Sequence, residues 1–130
     1  MNGVDLKPAI VPFRGVVWGK TLRFAYDLTE PNPSDPAQRQ PLNLLNVQAV
    51  FTVKDAPGES ARHRFRIVGE NQVPLSNGRV LFERAAALMR VGNPDARNEW
   101  YYELVVTEAN GDVWCPFAGT FELAPAAKTT

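Results

Sequence analysis

Trp100, Tyr102, Leu104 and Val106 alternate with Tyr101, Glu103, Val105 and Thr107, and this run constrains the fold more than any other segment. A period of two sends successive side chains to opposite faces, so the run reads as a strand with one buried face. The same pattern recurs. Leu22, Phe24, Tyr26 and Leu28 alternate with Thr21, Arg23, Ala25 and Asp27. Val47, Ala49, Phe51 and Val53 alternate with Gln48, Val50 and Thr52. His63, Phe65 and Ile67 alternate with Arg62, Arg64, Arg66 and Val68, which puts His63 inward or at the strand's end. Ile10 to Trp18 and Arg79 to Glu83 read as further strands. Pro12 makes the first of these an edge or a strand start, because proline donates no amide hydrogen.

Between these runs the chain is heavily punctuated, with 11 prolines and 9 glycines. Asp55-Ala56-Pro57-Gly58 is a turn signature. Asn110-Gly111 marks a tight hairpin, with a return strand from Asp112 to about Leu123. Pro116 interrupts that strand, which predicts a bulge or a change of sheet near Cys115. Residues 29–41 form a loop holding Pro31, Pro33, Pro36 and Pro41. Ala85 to Met89 lacks β-branched residues and predicts one or two helical turns, closed by Gly92-Asn93-Pro94. The sum is an all-β chain, an antiparallel immunoglobulin-like β-sandwich of about seven strands with one short helix near residues 84–91. Residues 1–130 read as a single domain, with 1–9 and 124–130 as flexible tails.

Composition narrows the function. An apolar fraction of 45% over 130 residues supplies one sandwich-sized core. Lys and Arg total 14, as do Asp and Glu, so the net charge is zero. That balance argues against general nucleic-acid binding, which needs positive charge facing phosphate. It also gives little protection against self-association. Cys115 and His63 are the sole residues of their types, so neither a disulfide nor a Cys- or His-rich metal site is expected. No nucleophile elbow, glycine-rich phosphate loop or calcium-loop spacing is present, and no cofactor or catalytic residue is assigned. The start of the chain shows no apolar signal segment, and no run is long enough to span a bilayer. These features lead to the expectation of a soluble, reducing compartment, or export inside a particle.

Two surface features suggest partner contact. Arg62, Arg64 and Arg66 fall on one phase of a strand and form a basic stripe suited to carboxylates. The prolines of the 29–41 loop, Pro31, Pro33 and Pro36, hold an extended arm. Trp100 and Tyr101 point to opposite faces, so Tyr101 is the ring left for an interface. Trp18 and Trp114 add two more large rings.

The last third also carries a recognisable cadence: Gly78-Arg79-Val80-Leu81-Phe82, then Trp100-Tyr101-Tyr102-Glu103-Leu104-Val105-Val106-Thr107, Asn110-Gly111-Asp112-Val113 and Gly119-Thr120-Phe121-Glu122-Leu123. It resembles a family of small tailed-bacteriophage virion proteins of tails and baseplates. Arg14-Gly15 to Phe24 and Val47 to Val53 match the front half of that family more loosely. The chain departs from the family in its proline-rich insertion, at Trp18-Gly19-Lys20 and at Cys115-Pro116-Phe117. The resemblance implies a non-enzymatic subunit of a tail, baseplate or neck, made in the host cytoplasm. Its partners would be other virion proteins and copies of itself in a symmetric oligomer. A capsid decoration protein is a rival reading. A carbohydrate-binding or adhesion module is another, and it requires an exposed row of aromatic rings.

Overall fold

The alternating runs become strands where their periodicity marks them. The computed structural model describes residues 8–31, 40–58 and 60–126. In chain order the strands are β1 (Ala9–Ile10), β2 (Phe13–Val17), β3 (Leu22–Asp27), β4 (Gln48–Lys54) and β5 (His63–Val68). They continue with β6 (Glu70–Asn71), β7 (Arg79–Arg84), β8 (Asn98–Thr107) and β9 (Val113–Ala124). One sheet has six strands, in the order β1-β9-β8-β4-β5 with β2 also on β9; the other has three, β3-β7-β6. The protein is therefore an all-β, two-sheet structure. Two 3-10 turns, Leu75–Asn77 and Ala86–Met89, lie on either side of β7. The second falls in the segment whose alanines predict helical turns.

Two expectations need correction. Among the described residues the strands number nine rather than about seven, because the Ile10–Trp18 run divides around Pro12 and because Glu70–Asn71 pairs with β7. Pairing is also not antiparallel throughout. β1 and β2 run parallel to β9, with Ile10 beside Ala118 and Phe13 beside Phe121. The chain enters the large sheet alongside its own last strand and in the same direction. Parallel pairing depends on which distant segment lies alongside, and alternation within one run does not encode that.

The turn chemistry predicts the C-terminal hairpin correctly. The Glu108 N–H donates to Asp112 O at 2.8 Å and closes the Asn110-Gly111 turn. Leu104 pairs with Phe117 and Val106 with Trp114, so Cys115 and Pro116 together oppose Val105. This is the bulge that Pro116 requires. The sheets extend into both segments read as tails: β1 begins at Ala9 and β9 ends at Ala124. Beyond β9, the Ala126 N–H donates to Pro94 O at 2.8 Å. Residues 1–7 and 127–130 lie outside the described residues.

The interior is aromatic. Ala49, Phe51 and Val53 of β4, with Tyr102, Leu104 and Val106 of β8, face Leu22 of β3 and Val80 and Phe82 of β7. One contact closes the N-terminal segment over this core. The Tyr102 hydroxyl on β8 donates to Val11 O at 2.6 Å. From the opposite sheet, the Tyr26 hydroxyl meets that of Tyr102. Gly119 makes the approach sterically feasible, because a Cβ there would lie 2.4 Å from the same Val11 O. Gly119→Ala is therefore expected to cost on the order of 2 kcal/mol in urea unfolding, with the loss traced to strain between β9 and the Val11 segment.

Burial raises the phenols of Tyr26, Tyr101 and Tyr102 above the ordinary value. These are the three tyrosines of the chain. A phenol raised in the folded state contributes its full stability below the unfolded value of about 10 and loses it as pH rises through the folded value. Ultraviolet titration of the native protein should show Tyr26 and Tyr102 ionising later than an ordinary phenol. Alkaline unfolding should then release both. Ordinary titration of both in the native protein would contradict the clamp.

Candidate docking surface

β5 carries the predicted basic stripe, and its register breaks that stripe. Val53 pairs with Phe65, but Lys54 pairs with His63, so Arg64 is an extra, unpaired residue. One inserted residue reverses the facing of everything before it. His63, the first residue of β5, therefore shares the outer face with Lys54 and is exposed; of its two expected places, inward or at the strand's end, it takes the second. Arg64 turns the other way. Its guanidinium lies 5.0 Å from the Trp100 ring centroid and pairs with Asp55. Arg66 stays on the outer face beside Thr52, and Arg62 precedes the strand, with its carbonyl accepting the Asp55 N–H at 2.9 Å. The three arginines thus do not form one continuous row.

The proline loop is clamped at its base. Thr29 bridges Pro41, and the Glu30 N–H donates to Gln40 O at 2.9 Å. Pro31 is half-buried at the edge of this clamp; Pro33 and Pro36 lie outside the described residues.

Tyr101 belongs to a larger feature, the outer face of the six-stranded sheet. The register lays out rows across the strands. One row runs Val68, Val50, Val105 and then the Cys115–Pro116 bulge. The next runs Arg66, Thr52, Glu103, Ala118 and Ile10. A third runs His63, Lys54, Tyr101 and Thr120. This face is only partly wetted. Thr52, Lys54 and Ala118 are buried, and Val50, Tyr101, Glu103 and Val105 are half-buried. Val68 and Ile10 stand out at its two sides, 58% and 68% exposed.

The centre of this face holds an ion pair. The Lys54 ammonium donates to Glu103 Oε1, and also to Gly58 O at 3.1 Å. The two side chains retain 9% and 24% exposure. Cys115 lies close by; its thiol donates to Phe117 O at 3.2 Å, and burial, with the Glu103 carboxylate second, pushes that thiol up. A raised, half-buried thiol is a poor nucleophile. The opposite outer face, on the three-stranded sheet, differs in kind. There Arg23 pairs with Glu83 at 3.3 Å and Arg79 with Asp27 at 3.5 Å, all four exposed.

The tryptophans form no exposed row. Trp100 is buried and stacks on Phe121, the Trp18 Nε1 donates to Gly92 O at 3.3 Å, and Trp114 packs half-buried against the core. Among the described residues there is no group of three or more His, Cys, Asp or Glu side chains able to hold a metal. No helix among them is long and apolar enough to cross a membrane.

Sequence reasoning missed the residues that make the large outer face distinctive, namely Val50, Val105, Lys54 and Glu103. A signal was present. Val50, Val68 and Val105 are β-branched apolar residues in the phase of their strands that alternation assigns to solvent. No protein-family model and no curated protein matches the chain.

The ion pair gives a direct test of how dry this face is. Glu103→Ala strands a buried ammonium with Gly58 O as its remaining hydrogen-bond acceptor, and should cost about 3 kcal/mol in chemical denaturation. The double variant Lys54→Met/Glu103→Leu removes both charges and should recover most of that loss. Equal losses in both variants would mean the pair is solvated.

Proposed function

We propose that this chain is a non-enzymatic structural subunit of a tailed-bacteriophage particle, present in several copies in the tail, baseplate or neck. The observation that carries the reading is the contrast between the two outer faces. The three-stranded sheet shows solvent a set of exposed ion pairs. The six-stranded sheet shows solvent a valine row beside a largely buried ion pair. A sheet face that carries an exposed apolar row, on a chain of zero net charge, suits a part that is built into an assembly.

The strand order supports an immunoglobulin-like plan. On that reading β3, β7 and β6 would correspond to the B, E and D strands, and β4, β8 and β9 to C, F and G. The segments that resemble phage virion proteins fall on consecutive elements of this plan: β7, β8, the hairpin and β9. The arrangement of the tryptophans gives the sugar-binding alternative no stacking platform.

Mass spectrometry of washed, purified particles from the virus whose genome carries the gene tests the reading. Peptides from this chain should appear in a fixed, multi-copy ratio to the major structural protein. Their absence from intact particles would overturn it.

A further inference from the structure

The edges of the two sheets are not equally protected. On one side of the larger sheet the outermost strands are β1, two residues long, and β2, whose register breaks between Phe13 and Val16. Pro12 stands between them and has no N–H to give. On the other side β5 carries the Arg64 bulge and the exposed Arg66. In the smaller sheet β6 is two residues long. Short, bulged or charged edges discourage pairing with another chain. The remaining edge, β3, has none of these devices against pairing except charge. It is six residues long, holds neither proline nor glycine, and keeps an unbroken register with β7 from Leu22 to Asp27. Among the described residues no strand pairs with its far side.

One bond sets the phase of that edge. The Leu28 N–H donates to Gly78 O at 2.8 Å, in the register that pairs Asp27 with Arg79. Antiparallel pairs alternate between hydrogen-bonded and non-bonded, so Leu22, Phe24 and Tyr26 exchange their backbone bonds with β7. The N–H and C=O groups of Arg23, Ala25 and Asp27 therefore point away from β7. Among the described residues these groups bond to no other backbone segment. Such a row of unpaired groups is a template for an added strand.

We infer that two copies of this chain pair through their β3 edges, antiparallel, about a two-fold axis that passes between their Ala25 residues. The segment Arg23-Phe24-Ala25-Tyr26-Asp27 is complementary to its own reverse. Arg23 lies opposite the second copy's Asp27, Ala25 opposite Ala25, and Phe24 opposite Tyr26. The pairs 23/27 and 25/25 are those whose outward backbone groups bond to each other. Charge selects this register. Within one copy Arg23 pairs with Glu83 at 3.3 Å and Asp27 with Arg79 at 3.5 Å. Pairing extends these into one row, Glu83, Arg23, then the second copy's Asp27 and Arg79, which alternates in sign at every step. Opposite charges directly across a strand pair attract, and like charges there are destabilising. The next registers that keep the edge in phase set Arg23 or Asp27 against Ala25. Those after them set arginine on arginine or aspartate on aspartate. The charges that keep unrelated strands away thus admit a second copy. On the inner side, Phe24 and Tyr26 are half-buried although their phase faces the core. Each gains a ring from the second copy along the seam. The product is one continuous sheet, β6-β7-β3 followed by the second copy's β3-β7-β6, and each contact occurs twice. Neither outer face is used, so the inference goes beyond the virion reading and does not depend on it.

Sedimentation equilibrium of the full chain over a wide concentration range tests the pairing. The wild type should show a reversible monomer–dimer equilibrium. Arg23→Asp and Asp27→Arg each change an exposed side chain whose own ion pair adds little stability, so thermal unfolding should show both variants folded. Each alone should weaken dimerisation about tenfold or more, because like charges then face each other at both ends of the seam. An equimolar mixture of the two variants should restore the dimer, since every position 23 again faces an opposite charge at position 27. Arg97→Asp makes the same charge change at an exposed residue just before β8 and should leave the equilibrium unchanged. A strictly monomeric wild type would overturn the inference. So would a dimer indifferent to Arg23→Asp, one weakened equally by Arg97→Asp, or a variant mixture that stays monomeric. A monomeric chain that is nevertheless found in purified particles would reject this pairing and leave the virion reading standing.

Discussion

Phe51 has five aromatic neighbours, and the arrangement of both sheets follows from accommodating them. Phe24 lies 4.8 Å away centroid to centroid, Tyr102 at 5.1 Å, Phe13 at 5.3 Å, and Phe82 and Phe121 each at 6.1 Å. These rings come from β2, β3, β7, β8 and β9, so one side chain on β4 contacts strands of both sheets. Removing water from so much ring surface is the main favourable term of folding, and edge-to-face and offset contacts add to it. The same cluster explains why the N-terminal segment joins β9. Phe13 stacks on Phe121 at 5.5 Å, and that contact is reached only if β2 lies beside β9 in register. The Tyr102 hydroxyl then secures the segment through Val11.

That dependence marks what the sequence could reveal. β8 was legible because ten residues of unbroken alternation leave no other assignment, and the burial pattern follows it residue by residue. The Asn110-Gly111 hairpin and the Cys115–Pro116 bulge were legible because each is imposed by local backbone chemistry. The parallel entry of β1 and β2 was not legible. It depends on an encounter between Phe13 and Phe121, more than a hundred residues apart in the chain. The Arg64 bulge was hidden for a related reason. Residues 62–68 alternate without fault, and only the pairing with β4 shows that one residue is surplus.

The bulge changes the surface more than the core. Without it, Arg62, Arg64 and Arg66 would share one phase. With it, Arg64 becomes a lid over Trp100, held by Asp55. A second arginine does similar work nearby: the Arg84 guanidinium lies 4.7 Å from the Phe65 centroid, and desolvation there lowers its affinity for the proton. Cation–π contacts of this kind cover ring faces that would otherwise meet water. Two of the arginines that balance the charge of the chain are thus committed to closing one end of its aromatic core, where Phe65 and Trp100 both pack on Phe121.

The charge balance acquires a local meaning from these placements. A net charge of zero is compatible with charges scattered at random, but here they are segregated. On the three-stranded sheet, cross-strand partners such as Arg23 with Glu83 and Asp27 with Arg79 pair directly on an exposed face. Exposed pairs of this kind contribute little stability. Their effect is to keep that face hydrated and unattractive to apolar surfaces. On the six-stranded sheet the central pair, Lys54 with Glu103, is withdrawn from water, and the neighbouring row is valine. Burying that pair carries a desolvation cost that an ordinary solvent-facing sheet would not incur. The cost is understandable if the face is shaped for contact, since a dry, neutral pair can be covered by an apolar neighbour without exposing a bare charge. The two outer faces are thus given opposite hydration by the same few residue types, and the difference lies in where the strands bring them together.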